Sequence, residues 1–162
     1  MKKLAILLFI ITLTSCKQPT NEIAKLQNQI DSLKKELNST YKPGFGDLMS
    51  GVQNHHSKLW FAGVNENWEL ANFEVHEINE LLNNVKKYQS ERKETESLDM
   101  INPLLDSVSM AIKNENLNSF KKSYKLLTIT CNECHKITEF KFNIVKVPTR
   151  QVFSNQEFKI KQ

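Results

Sequence analysis

The chain has 162 residues, with 22 Lys and Arg set against 18 Asp and Glu, a net charge of +4. That balance is too mild to argue for nucleic acid as a partner. The length suffices for one domain with a real core plus a tether, and few glycines, few prolines and long charged-apolar periodic runs favour an all-helical chain.

Residues 1–15 run Met-Lys-Lys, then an apolar stretch from Leu4 to Leu13, then Thr14-Ser15 before Cys16. A charged start, a short apolar run and small residues before a cleavage point describe a signal peptide. The apolar run is short for a membrane-spanning helix. Leu13-Thr14-Ser15-Cys16 resembles the lipobox of bacterial lipoproteins, which implies that Cys16 becomes the lipidated N-terminus. The other reading is an ordinary signal peptide with an incidental cysteine. Either way the expected place is the bacterial cell envelope, with the domain facing the periplasm and, if lipidated, held on a membrane by acyl chains. Without residues 1–15 the chain keeps 147 residues and a charge near +2.

Residues 16–42 read as a tether. Lys17 to Thr20 is a short polar spacer. Ile23, Leu26, Ile30, Leu33 and Leu37 follow at alternating spacings of 3 and 4, a heptad stripe with Ile at a and Leu at d. Barely two heptads are covered, which leaves a rigid stalk, a docked helix and a homodimer all open. Tyr41-Lys42-Pro43-Gly44 breaks the pattern.

Residues 43–140 read as four helices, and 141–162 as an extended C-terminal tail. The first helix is expected over Gly46–Ala62, with Leu48, Met49, Val52, His55, His56, Leu59 and Trp60, and with a turn at Gly63-Val64-Asn65. The second runs over Asn67–Tyr88 with Trp68, Ala71, Val75, Ile78, Leu82 and Val85 on one face. Gln89–Ser97 is a polar connection. Asn102-Pro103 opens the third as N-cap and N1, ahead of Leu104, Leu105, Val108, Ala111 and Ile112. The fourth starts near Asn116 and reaches about Phe140.

That last helix carries Cys131-Asn132-Glu133-Cys134-His135, a C-x-x-C-H sequence of the kind that attaches a c-type haem. In that chemistry two thiols form thioethers with the vinyl groups and the adjacent imidazole takes an axial position on the iron. On a helix, positions i and i+3 share a face, so both sulfurs reach one porphyrin edge. Leu117, Phe120, Tyr124, Leu127, Cys131, Cys134 and Thr138 recur at spacings of 3 and 4, so the cysteines continue the apolar stripe and point inward. A redox C-x-x-C usually opens a helix, where the N-terminus lowers the thiol pKa. A structural zinc site needs four ligands. Neither fits a motif late in a long helix as well as haem c does.

A four-helix bundle with C-x-x-C-H near the end of its last helix resembles the class II cytochromes c, the cytochrome c′ group. The resemblance covers about Phe45–Phe140. It implies an antiparallel up-down-up-down bundle, one covalent haem between the first and last helices, and His135 as proximal ligand. The block Lys58-Leu59-Trp60-Phe61-Ala62-Gly63, with Asn67-Trp68 and Phe153-Ser154-Asn155-Gln156-Glu157-Phe158, is similar to a set of envelope lipoprotein cytochromes to which no reaction is attached. The heptads and the residues after the haem helix depart from cytochrome c′.

In low-spin members of that class a methionine early in the first helix is the sixth ligand, and Leu48-Met49 resembles that position. Methionine opposite histidine raises the potential and suits electron transfer. Met49 also reads as plain core filler. His56 is the alternative ligand, seven residues on and about 10 Å along the axis. His55 is a weaker one, and an open sixth site is the remaining case. His76 reads as a solvated or interhelical histidine. Trp60, Phe61 and Trp68 either line the haem or fill core. Lys58 and Arg150 either pair with haem propionates or stay solvated. Glu74, Glu77 and Glu80 recur at helical spacing and read either as a wet helix face or as a carboxylate cluster that relays protons near a haem. The expectation is thus a membrane-tethered monohaem cytochrome that exchanges electrons with envelope redox partners, a carrier rather than a catalyst. The alternatives are a haem-based binder or sensor of a diatomic gas, and a haem-free envelope interaction module.

Overall fold

The computed structural model of this chain describes residues 20–160, and all of the regular structure among them is helical. Cys16 and the expected signal peptide lie outside the described residues. The chain divides into two compact units between Lys42 and Pro43. The first contains α1, Thr20–Thr40, whose heptad residues are all exposed. No helix among the described residues is long and apolar enough to cross a membrane.

The second unit holds α2 (Phe45–Val64), α3 (Trp68–Tyr88), a short α4 (Lys93–Glu96), a 3-10 turn (Leu98–Ile101), α5 (Asn102–Lys113) and α6 (Leu117–Ile137). α2 packs on α3, α3 on α5, α5 on α6 and α6 on α2, so four helices share one core. Its centre is Leu59, Val85, Leu105, Val108, Phe120, Tyr124 and Leu127, each at most 1% exposed. Burial of such side chains supplies about 1.5–3 kcal/mol each.

Helix ends follow local chemistry. Asn67 and Asn116 cap α3 and α6 by accepting from the amides of Leu70 and Ser119. Each asparagine also finishes the preceding helix. The Asn67 amide donates to the Ala62 carbonyl and that of Asn116 to the Ala111 carbonyl, while Glu66 and Glu115 sit in the left-handed region at φ 58° and 51°. These are Schellman ends fused to N-caps, which reverse the chain in three residues. The turn expected at Gly63-Val64-Asn65 therefore lies later, at Asn65–Asn67. Gly63 is inside α2 and buried because a Cβ there would meet the Phe120 ring at 2.1 Å. Its small size serves a close approach and not a bend. At α5 the 3-10 turn feeds straight into the helix, so Asn102 is helical and makes no side-chain cap, while Pro103 keeps its place in the first turn.

Two expectations about polar segments change. Gln89–Ser97 is not only a connection: Glu94 on α4 is buried. The residues after α6 have no regular structure, yet Phe158 is buried against Phe61 and Val147 and Phe153 pack on the core. The segment returns to the helices because it carries its own apolar anchors.

Candidate functional site

α6 ends in the same way as α2 and α5. Glu139 takes a φ of 73°, the Glu139 amide donates to the Lys136 carbonyl and the Phe140 amide to that of His135. The reversal turns residues 140–145 back along the last helical turn. Asn132 then holds them: its Nδ2 donates to the Val145 carbonyl and its Oδ1 accepts from the Val145 amide, both at 2.8 Å. His135 Nδ1 lies 2.6 Å from the Asn143 carbonyl oxygen. A carbonyl only accepts, so Nδ1 carries the proton and Nε2 keeps its lone pair.

A cavity of about 340 Å³ opens beside this turn, within the range of small-molecule and cofactor sites. Cys131, Cys134, His135 and Thr138 of the α6 end line it on one side, with Phe140, Asn143 and Val145 of the returning segment. α2 contributes Phe45, Met49, Val52 and His56, and α3 contributes Ile78 and Leu82. Leu98, Ile101 and Glu94 close it from the α4 region. The lining is chiefly apolar. Cys134 is buried and Cys131 half-buried. Burial pushes the Cys131 thiol up to about 12, with the Cys134 charge adding to it. Burial also raises Cys134, helped by the Glu94 carboxylate. Thiols held neutral in this way are poor nucleophiles, unlike those of a thiol–disulfide exchange site.

Glu94 was not singled out by sequence, because a lone Glu in a polar stretch carries no periodic signal. Its carboxylate is held by Arg92, with Nη2 at 2.6 Å and Nε at 3.2 Å. The guanidinium keeps it below the usual carboxylate range. Arg92 also lies over the Phe45 ring at 4.4 Å, a cation–π contact at the edge of the cavity. Lys58 and Arg150 do not line the cavity, and Lys58 sits over Phe153 at 5.2 Å.

The histidines of α2 have structural partners. His56 is 5% exposed and both ring nitrogens are used, Nε2 at 3.0 Å from Thr128 Oγ1 and Nδ1 at 2.9 Å from the Tyr124 hydroxyl. Thr128 gives its own hydrogen to the Tyr124 carbonyl, so it accepts from Nε2–H, and Nδ1 is left as an acceptor. Burial lowers this imidazole to about 4. Burial likewise pushes the Tyr124 hydroxyl up. The Tyr124 oxygen also lies 2.8 Å from the His56 carbonyl oxygen, so its single hydrogen is shared between that carbonyl and Nδ1. The hub of hydroxyls around His56 could not be read from sequence, since Tyr124 and Thr128 meet it from another helix.

His55 lies on the α3 side, with Nδ1 2.6 Å from Glu74 Oε2. Glu74 is fully buried, which corrects its reading as a wet face, and its Oε1 has no hydrogen-bond partner among the described residues. His76 is solvated and 3.4 Å from Glu80. Trp60, Phe61 and Trp68 fill core around Phe120, Tyr124 and Phe158 and do not line the cavity.

The cavity therefore gathers two thiols, an imidazole with a free Nε2 and a thioether from two helices, inside an apolar wall. That donor set fits a c-type haem: sulfurs to bond, a nitrogen and a thioether to ligate, and low polarity around the ring. Among the described residues no three His, Cys, Asp or Glu side chains are grouped to hold a bare metal ion. Comparison with protein-family models, with curated proteins and with solved structures finds no match to this chain.

Proposed function

We propose that the chain is a monohaem c-type cytochrome that carries electrons in the bacterial cell envelope, tethered to a membrane by lipid at Cys16. The observation that carries the reading is the convergence of Cys131, Cys134, His135 and Met49 on one apolar cavity. The ring of packing among α2, α3, α5 and α6, with three-residue reversals between α2 and α3 and between α5 and α6, supports an antiparallel four-helix arrangement like that of the class II cytochromes c.

Cys131 and Cys134 would hold the haem by thioether bonds, and His135 Nε2 and the Met49 sulfur would ligate its iron. The group supplies a one-electron couple at the iron. The chain's own residues prepare for it. The Asn143 carbonyl fixes the His135 tautomer and raises the basicity of Nε2, the outer-shell role that such acceptors play at metal-ligating histidines. Asn132 pins the strand of chain that bears that carbonyl. Phe45, Val52, Leu82 and Leu127 exclude water, which disfavours build-up of charge. Glu94 brings a negative charge to the same wall, with Arg92 as its counter-ion.

Met49 is preferred to His56 as sixth ligand on one ground. His56 has both nitrogens hydrogen-bonded, and ligation through Nε2 would give up the Thr128 bond and move the ring proton to Nδ1. Met49 lines the cavity, and its weakly polar thioether gives up little on ligation. A filled sixth position suits electron transfer over gas binding.

The test is an envelope-expressed protein made with c-haem maturation. Its mass should include one haem that resists acid–acetone extraction, lost in the Cys131→Ala/Cys134→Ala variant. The oxidised protein should show the near-infrared band of a methionine–iron bond, absent in Met49→Ala. A haem-free product overturns the cytochrome reading. A high-spin wild type that takes up carbon monoxide readily makes the protein a gas binder. For the anchor, a fatty-acid analogue should label the wild type and not Cys16→Ser.

A further inference from the structure

The five heptad residues of α1 are between 44% and 66% exposed, although they form one continuous apolar stripe on a helix of 21 residues. An amphipathic helix earns its stability by covering such a stripe. We infer that α1 pairs with α1 of a second copy of this chain, as a parallel two-stranded coiled coil.

The occupant is read from the residues of the stripe and its flanks. Ile23, Ile30 and Leu37 fall at a, and Leu26 and Leu33 at d. β-branched residues at a with Leu at d favour two parallel strands over three or four. The flanks decide polarity. Positions g hold Glu22, Gln29 and Glu36, and positions e hold Gln27 and Lys34. In a parallel pair, g meets e of the other helix five residues on, which matches Glu22 with Gln27 and Gln29 with Lys34. No like charges meet. An antiparallel pair sets g against g, and so the row bearing two glutamates against itself. The outer face is polar apart from the small Ala24, with Asn28 and Lys35 at f and Gln27 bonded to Asp31 at 3.0 Å, so a second apolar partner has no stripe to dock on there. The helix is too polar and too charged to enter a bilayer as a span. Lipid at Cys16, proposed above, would set both N-termini on one membrane surface and raise the local concentration of this short coil. Pairing of the two helices does not depend on that lipid.

In a parallel pair each residue at a faces its own copy, whereas in an antiparallel pair a packs against d and the two copies of position 37 lie at opposite ends of the coil. Leu37→Cys is therefore diagnostic, and Asn28→Cys at f is its control. The full chain carrying either substitution is expressed in the envelope, oxidised in place and separated without reductant. Wild type in parallel accounts for any bridging through Cys16, Cys131 or Cys134. The expected result is a two-chain product for Leu37→Cys, none above wild type for Asn28→Cys, and loss of the product when Ile30→Lys is added. Leu37→Cys that stays single-chain overturns the inference, as does equal bridging by Asn28→Cys, a bridge to a different polypeptide, or a three-chain limit with a lysine-reactive cross-linker. Haem content and spectrum are measured on the same samples. They report on the second unit alone, so failure of the haem reading and failure of the pairing are separately visible.

Discussion

Acid should loosen this fold through a single imidazole. His56 is buried under Tyr124 and Thr128, and burial lowers it from 6.5 to about 4. An unfolded chain would bind that proton at the ordinary value, about 300-fold more tightly than the fold does. The sign follows directly. Above pH 6.5 His56 is neutral in both states and the fold keeps its full stability. As pH falls from 6.5 towards 4 the unfolded chain gains a proton that the fold refuses, so stability drops. Below 4 both states are protonated and the loss stops growing. The whole effect is about 3 kcal/mol, and about 2 kcal/mol of it is lost by pH 5. That is a large share of the margin of an ordinary domain.

The assay is urea unfolding at steps from pH 7.5 to 5, on wild type and His56→Gln in the same haem state. Gln cannot titrate, and its amide can still donate to Thr128. Wild type should lose about 2 kcal/mol more than the variant between pH 7 and pH 5, with an unchanged slope in urea. Other histidines are present in both proteins and cancel in the difference. Glu94, held below the usual carboxylate range by Arg92, gives stability that is present above that range and lost beneath it, outside the window used. Parallel curves for the two proteins would refute the claim that His56 is a desolvated, neutral hub.

Gly63→Ala should destabilise by about 3 kcal/mol or more, read as a lower urea midpoint, because its Cβ would stand 2.1–2.6 Å from atoms of the fully buried Phe120 ring. Asn132→Ala should cost about 1–2 kcal/mol and speed hydrogen exchange at the Val145 amide, since that amide loses its acceptor. Arg92→Met should leave the Glu94 carboxylate without its cation and lower the urea midpoint at neutral pH. That drop should shrink as pH falls into the carboxylate range, where a protonated Glu94 no longer needs a partner.

Local signals sufficed for the helices and for the thiols. Periodicity of 3 and 4 put Phe120, Tyr124, Leu127 and Cys134 on the buried face of α6, and asparagines at 67 and 116 marked where helices begin, because both depend only on neighbours within a turn or two. The C-x-x-C-H spacing likewise is a one-helix property. What needed the tertiary structure were meetings between elements. Gly63 reads as a turn until Phe120 arrives from α6 and requires a residue without a Cβ. Glu74 reads as surface until His55 of α2 covers it, and Glu94 until the α4 region folds over the cavity. Along one helix face Met49 is the leading sixth-ligand candidate and His56 the alternative. What distinguishes them in three dimensions is that Tyr124 and Thr128 engage both nitrogens of the imidazole, while among the described residues no hydrogen bond to the thioether is found. A sequence fixes periodicity and spacing, but desolvation and hydrogen-bond saturation depend on what packs from the far side.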